Sequence, residues 1–312
     1  MYEPLLALDS VRLNFNPQGL HILNLTLAII MFGVALGIKV DHFKQLWAQP
    51  KPALVGIFSQ FLLLPFLTFF LVLVIKPTPT VALGMILVAS CPGGNISNFI
   101  SSLGKGNVAL SVSLTAFSSL AAIFMTPLNF EIWGGLYHAT SDAFRPIEIE
   151  PGSMFQTVFI ILGLPLVAGM WVAHRFPNFT AKIIKPLKIT SIFIFLGYVV
   201  IALLNNFDYF IQFIHLIVLI VLIHNALALF TGFSLASVFR LAPNDRRTIS
   251  IETGIQNSGL ALVLIFNPKI FPVELEIGGM AIIAAWWGVW HIISGLGIAF
   301  FWSRKPLPTR GI

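Results

Sequence analysis

SCPGGNISN, residues 90–98, interrupts a run that otherwise reads as membrane-grade: TVALGMILVA leads in from Thr80 and FISSL leads out to Leu103. In hydrocarbon, backbone that leaves the helix finds no water. It is tolerated only where protein or a water-filled cavity supplies its partners. Pro92 removes one N–H and disturbs the turn before it. Gly93 and Gly94 are expected to let the chain leave helical geometry cheaply. Asn95, Ser97 and Asn98 then place polar groups at the same depth. A break with these residues predicts a helix unwound in mid-membrane for a purpose.

The rest of the chain agrees with a membrane setting. Of 312 residues, 57% are hydrophobic and 10% charged, more apolar surface than a soluble domain keeps dry. The fold class expected is an all-α polytopic membrane protein. Residues 1–18 lack the apolar core and small-residue cleavage site of a cleaved signal. The single Cys91 excludes an intrachain disulfide and a cysteine-based metal cluster.

Nine spans of roughly 20 residues are read at about 19–38, 52–75, 80–103, 107–129, 154–173, 183–204, 209–239, 249–268 and 277–302. With the N-terminal tail 1–18 outside and the tail 303–312 cytoplasmic, inner segments hold 14 of the 18 Lys and Arg residues. Only Arg12, Lys76, Arg145 and Lys269 fall outside. Acids lie the other way, with Glu131, Asp142, Glu148 and Glu150 among the outer ones. The net charge of +6 is thus an orientation signal for a plasma or bacterial inner membrane, and no nucleic-acid partner is needed to explain it. No obligate protein partner is inferred.

A second interruption, ETGIQNSG at 252–259, lies in the eighth span. Spans 1–4 and 6–9 then read as inverted repeats, with the broken helix third in each, as expected of secondary transporters. Glu252 is an acid inside a span, where insertion costs a few kcal/mol and pairing or function is the rule. Ser111 and Thr115 stand at i and i+4 on one face of span 4. With Ser97, Asn98 and Glu252 they form an oxygen-only set suited to a hard cation, Na⁺ or H⁺ in a carrier. A second oxygen group is possible around Gln60, Glu252 and Gln256 with backbone carbonyls near Gly254. His224 and His291 read first as hydrogen-bonded core residues. An intramembrane enzyme would need Cys91 beside a histidine, which no spacing requires, and a channel would need filter repeats that are absent. No enzymatic activity is expected.

Together these residues resemble the bile acid:sodium symporter family. The resemblance rests on IMFGVALGI, CPGGNISN, GKGNVALSVSLTAFSS, VLIHNALA, IETGIQNSGLA and VWHIISG, collinear from about residue 19 to 302. The nine-span form looks like the animal carriers, whereas characterised bacterial relatives have ten. The resemblance implies a core domain (52–129 and 209–302) and a panel domain (19–38, 154–173 and 183–204). It implies a first sodium site at Ser97, Asn98, Ser111, Thr115 and Glu252, and a second at Gln60, Glu252, Gln256 and the carbonyls of Thr253 and Ile255. Asn95, Asn257 and His291 would meet an organic anion, a bile acid or a small carboxylate such as pantoate or pyruvate. Bacterial relatives often have Thr where Asn95 stands, and a second Asn where Ile292 stands. Two co-transported Na⁺ and no organic cofactor are implied, with alternating access as the mechanism.

Overall fold

The structure is a computed structural model that describes residues 17–140, 151–205, 207–271, 275 and 277–305. Most of the N-terminal tail, the segment with Asp142, Arg145, Glu148 and Glu150, and residues 306–312 of the C-terminal tail lie outside the described residues. The described chain is helical throughout, with one isolated bridge of β type. Its helices are α1 Pro17–Ala35, α2 Val40–Ala48, α3 Pro50–Ile75, α4 Pro79–Ser90, α5 Ser97–Leu103 and α6 Val108–Thr140. They continue as α7 Gly152–Arg175, α8 Pro177–Asn205, α9 Phe207–Val238, α10 Pro243–Gly254, α11 Ser258–Ile265 and α12 Gly278–Ser303.

Five helices are long and apolar enough to cross a bilayer, at α3, α6, α7, α9 and α12; Asn24–Ala35 and Pro79–Ser90 are shorter apolar helices. The outward surface supports a lipid setting. Leu54, Phe58, Leu62, Phe66, Phe70 and Val74 repeat every fourth residue along α3 and are all exposed. Polar residues such as Ser59, Gln60 and Thr68 on the same helix are buried. Apolar outside and polar inside is the arrangement of an integral membrane protein.

Proline sets several local features. It occupies the first turn of α3, α4 and α10, where its missing N–H has no intrahelical acceptor to serve. Within α3 and α7 it acts differently. Leu64-Pro65 and Leu164-Pro165 follow π-turns at Ser59–Leu63 and Phe159–Gly163, in which Leu64 N–H reaches back to Ser59 O and Leu164 N–H to Phe159 O. Widening the turn re-houses carbonyls that the proline cannot serve, and π-turns of this kind recur at functional sites. Lys76, Lys105 and Arg240 take left-handed φ values of 50°, 55° and 55° just beyond α3, α5 and α9. Their charge is favourable at the negative helix end.

The centre of the molecule belongs to the interrupted helices. Every residue of α4 and of α11 is buried, as is α10 from Arg247 to Gly254. Helices α4 and α12 pack together, and α9 lies along α10. Helix α1 packs against α7 and α8 instead.

Candidate functional site: a buried carboxylate where two broken helices meet

Helix α4 stops at Ser90 and its continuation α5 begins at Ser97; α10 stops at Gly254 and α11 begins at Ser258. The two interruptions run antiparallel past each other and share a single bridge, Gly93 with Gln256. Gly94 N–H donates to Ile255 O at 2.7 Å and Asn257 N–H donates to Pro92 O at 2.8 Å. Each break therefore satisfies backbone that the other has left unpaired, the condition for non-helical chain at membrane depth.

The chain leaves helical geometry at the two glycines, as expected, but not through conformations reserved for glycine. No described glycine has positive φ, so Gly93 and Gly94 are not used for conformations denied to other residues. They are required by proximity. A Cβ on Gly93 would lie 2.8 Å from Gln60 Nε2 and 3.2 Å from Glu252 Oε2, and one on Gly94 would lie 3.2 Å from Gln256 O.

Beside the bridge stands Glu252, 2% exposed. Its Oε1 accepts hydrogen bonds from Ser97 Oγ and Ser111 Oγ, and its Oε2 accepts one from Thr115 Oγ1 at 3.0 Å. Asn98 Oδ1 faces Ser111 Oγ at 2.9 Å and Thr115 Oγ1 at 3.3 Å. All five residues of the first oxygen set thus converge. The i, i+4 spacing on α6 brings Ser111 and Thr115 to one face, and the first turn of α5 delivers Ser97 and Asn98 together. Ser101 Oγ, 3.2 Å from Ser111 Oγ, extends the cluster. It was missed in the sequence because serine is common in FISSL-like helix ends.

Among the described residues no basic side chain forms an ion pair with this acid. Among the described residues the one ion pair is Lys44 with Asp41, at 2.9 Å on the exposed helix α2. Burying an ionised carboxylate is costly without a counter-charge, and hydroxyl donors offset only part of the cost. Among the described residues no group of three or more His, Cys, Asp or Glu could hold a metal ion. The donors at Glu252 are hydroxyls, an amide oxygen and one carboxylate, which suit a hard cation.

The second set is partly assembled. Gln60 lies buried in the π-turn of α3, and its Nε2 has no hydrogen-bond partner. It shares with Glu252 Oε2 the space over Gly93. Gln256 Nε2 donates to Thr253 O at 2.9 Å, while its Oε1 is buried without a donor. Ile255 O accepts from Gly94 N–H, which leaves one lone pair. Ser59, another residue missed, hydrogen-bonds through Oγ with Thr253 Oγ1 at 2.8 Å.

Asn95, Asn257 and His291 are not joined to one another by hydrogen bonds among the described residues. Asn257 caps α11, with Oδ1 accepting from Leu260 N–H at 3.1 Å. His291 is buried, and its Nδ1 has no partner. His224 pairs with Thr68 Oγ1 through Nε2 at 2.9 Å and lies against the Trp287 ring. Cys91 is buried, and no hydrogen bond links it to either histidine.

Comparison with known proteins gives a concordant result. A family model described as the Sodium Bile acid symporter family matches residues 24–213. The chain is 32% identical over 279 residues to an "uncharacterized sodium-dependent transporter YocS" of Bacillus subtilis, covering 89% of this chain and 82% of that protein. It is 29% identical over 291 residues to a "probable sodium/metabolite cotransporter BASS2, chloroplastic" of Oryza sativa, covering 91% of this chain and 64% of that one. The human "sodium/bile acid cotransporter 4" is 30% identical over 268 residues, 81% of this chain and 58% of the human one.

Proposed function

The chain belongs to the Sodium Bile acid symporter family, a family of sodium-dependent transporters, and from that premise we propose that it couples Na⁺ to the import of an organic anion. The observation that carries the proposal is Glu252, buried where the two breaks meet, surrounded by hydroxyls from α5 and α6 and without an ion pair among the described residues. One Na⁺ is held by Ser97, Asn98, Ser111, Thr115 and Glu252. A second is held by Gln60, Glu252, Gln256 and the carbonyls of Thr253 and Ile255. The buried, donorless Oε1 of Gln256 supports that second assignment.

Nine crossings, with the N-terminus outside and the C-terminus in the cytoplasm, complete the reading. Helices α3–α6 and α9–α12 form a core that carries both breaks, and α1, α7 and α8 form a panel. The packing of α1 on α7 and α8 supports the grouping. The two units are inverted repeats, and core and panel rock against each other in alternating access. The half-helices also support a repeat: α4 and α10 have 12 residues each, and α5 and α11 have 7 and 8. The anion sits between core and panel near Asn95, Asn257 and His291.

The substrate is a bile acid or a related carboxylate. A second reading, a small carboxylate such as pantoate or pyruvate driven by Na⁺ or H⁺, is favoured by the relative named a sodium/metabolite cotransporter. Uptake of labelled taurocholate into proteoliposomes, under an inward Na⁺ gradient against an equal K⁺ gradient, tests the proposal with Glu252→Ala as control. Sodium-driven uptake that disappears in the variant is expected. Uptake of any of the three acids that persists unchanged in Glu252→Ala would sink the site assignment, and uptake driven by a pH gradient without Na⁺ would replace the coupling ion.

A further inference from the structure

Helix α10 ends in a carbonyl that faces away from the crossing, and a buried asparagine receives it. Asn225, on α9, is fully buried. Its Nδ2 donates to Gly254 O at 2.8 Å, and its Oδ1 accepts from Ser294 Oγ on α12 at 2.5 Å. Ser294 Oγ also lies 3.2 Å from His291 O, so the serine sits against its own helix. The approach of α9 is close enough to make this contact unavoidable. A Cβ on Gly254 would fall 2.4 Å from Leu229 Cδ2, and one on Gly232 would fall 2.5 Å from Ile249 O.

We propose that Asn225, held by Ser294, is a positioning residue for the cation site: it locks the Gly254 carbonyl outward and so turns the next carbonyl toward the crossing. The geometry follows from the backbone. Ile255 is extended, with φ −108° and ψ 94°, and along extended chain successive carbonyls point to opposite sides. Gly254 O is one of the carbonyls that the end of α10 leaves without an intrahelical partner. Tied to Asn225 on one side, it directs Ile255 O to the other, where Gly94 N–H meets it at 2.7 Å. The following residue is Gln256, which pairs with Gly93 in the bridge. The relay Ser294–Asn225–Gly254 thus sets the plane of the peptide just before Ile255 O, one of the second set of oxygens. A different buried bond joins the same two helices without touching the break: Ser250 Oγ donates to Leu229 O at 2.7 Å.

The inference rests on the sodium reading above, and the test separates the two. The melting temperature of the purified full chain would be followed as NaCl replaces KCl at constant ionic strength, for wild type, Asn225→Ala, Ser294→Ala and Ser250→Ala. The expected result is a Na⁺ half-saturation raised roughly tenfold in Asn225→Ala and several-fold in Ser294→Ala, as for loss of one buried hydrogen bond. Ser250→Ala should lower the melting temperature in KCl but keep the wild-type half-saturation. Asn225→Asp, which keeps the acceptor for Ser294 and replaces the donor to Gly254 O, should behave as Asn225→Ala does. Should Asn225→Ala fail to fold, Ser294→Ala decides. Wild-type half-saturation in Asn225→Ala, or in Ser294→Ala if it must stand alone, overturns the relay and leaves the sodium reading standing. A wild type whose melting does not respond to Na⁺, with the same absence in Glu252→Ala, overturns the sodium reading and the relay with it.

Discussion

Gly93→Ala removes no ligand and adds one methyl group, yet it should disable the crossing. The added Cβ would stand 2.8 Å from Gln60 Nε2, about 0.6 Å inside ordinary van der Waals contact, and 3.2 Å from Glu252 Oε2. Both neighbours are ends of side chains and can withdraw, so the fold should survive. Their withdrawal, however, is from the place where the second oxygen set meets the first. Overpacking of this kind typically costs about 1–3 kcal/mol. Referred to binding at about 1.4 kcal/mol per factor of ten, Na⁺ half-saturation should rise by roughly 5- to 150-fold. The assay is the Na⁺ dependence of melting in detergent and of uptake in proteoliposomes. Gly134→Ala is the matched control, because its Cβ would meet Leu83 Cδ2 at an ordinary 3.7 Å. The backbone itself does not bar alanine here, since no described glycine has positive φ; only the close approach of Gln60 and Glu252 does. Wild-type Na⁺ affinity in Gly93→Ala would therefore refute the argument from proximity.

Three other outcomes are expected. Ser111→Ala removes a hydroxyl that touches both Glu252 and Asn98, so Na⁺ half-saturation should rise about 5- to 30-fold, the equivalent of about 1–2 kcal/mol. Ser113→Ala, two positions from Ser111 and with a buried Oγ that has no partner, should bind Na⁺ as wild type does; equal effects from the two serines would count against the site. Arg247→Met should cost about 2 kcal/mol of stability without shifting Na⁺ affinity, because the guanidinium donates to Gly104 O at 3.0 Å and Trp302 O at 3.1 Å and so ties the C-terminal ends of α5 and α12 together. A shifted Na⁺ half-saturation in that variant would mean that the C-terminal ends of α5 and α12 are coupled to the crossing. Finally, a transported anion should raise Na⁺ affinity, and by linkage Na⁺ should raise affinity for the anion by the same factor, measured by equilibrium titration in both directions; a factor of one would mean that the two do not bind cooperatively and would count against symport through this site.

Much of this architecture is legible in the sequence, and the residues show why. SCPGGNISN and ETGIQNSG each put glycine, amides and hydroxyls where lipid would forbid unpaired backbone, so both breaks announce themselves locally. Ser111 and Thr115 are also legible, since helical spacing alone puts them on one face. What spacing does not reveal is the antiparallel passage of one break against the other, because the bond from Asn257 N–H to Pro92 O joins residues far apart in the chain. Asn225 and Ser294 were invisible as partners for the same reason. Gly93 was legible for the wrong reason: sequence offers glycine's freedom as the explanation, whereas the demand comes from a glutamine on another helix. The π-turn around Gln60 had a visible cause in Pro65, but its effect, a buried amide aimed at the crossing, depends on how α3 packs.

Glu252 also explains why cation and anion should travel together. Its Oε1 serves Ser97 and Ser111, while its Oε2 serves Thr115 and lies over Gly93 beside the Gln60 amide. A single carboxylate therefore belongs to both oxygen sets. Under the two-sodium reading, the crossing holds one negative and two positive charges, and a surplus charge is costly in a low-dielectric interior. A monoanionic substrate brings the sum to zero. Without Na⁺, the same anion would approach an unpaired carboxylate and meet repulsion. Each species is thus unfavourable without the other, which is what coupling means in free-energy terms. The buried basic side chain on α10 does not relieve this dependence. Arg247 is committed to backbone carbonyls at the C-terminal ends of α5 and α12, so it does not supply the neutralising charge for Glu252.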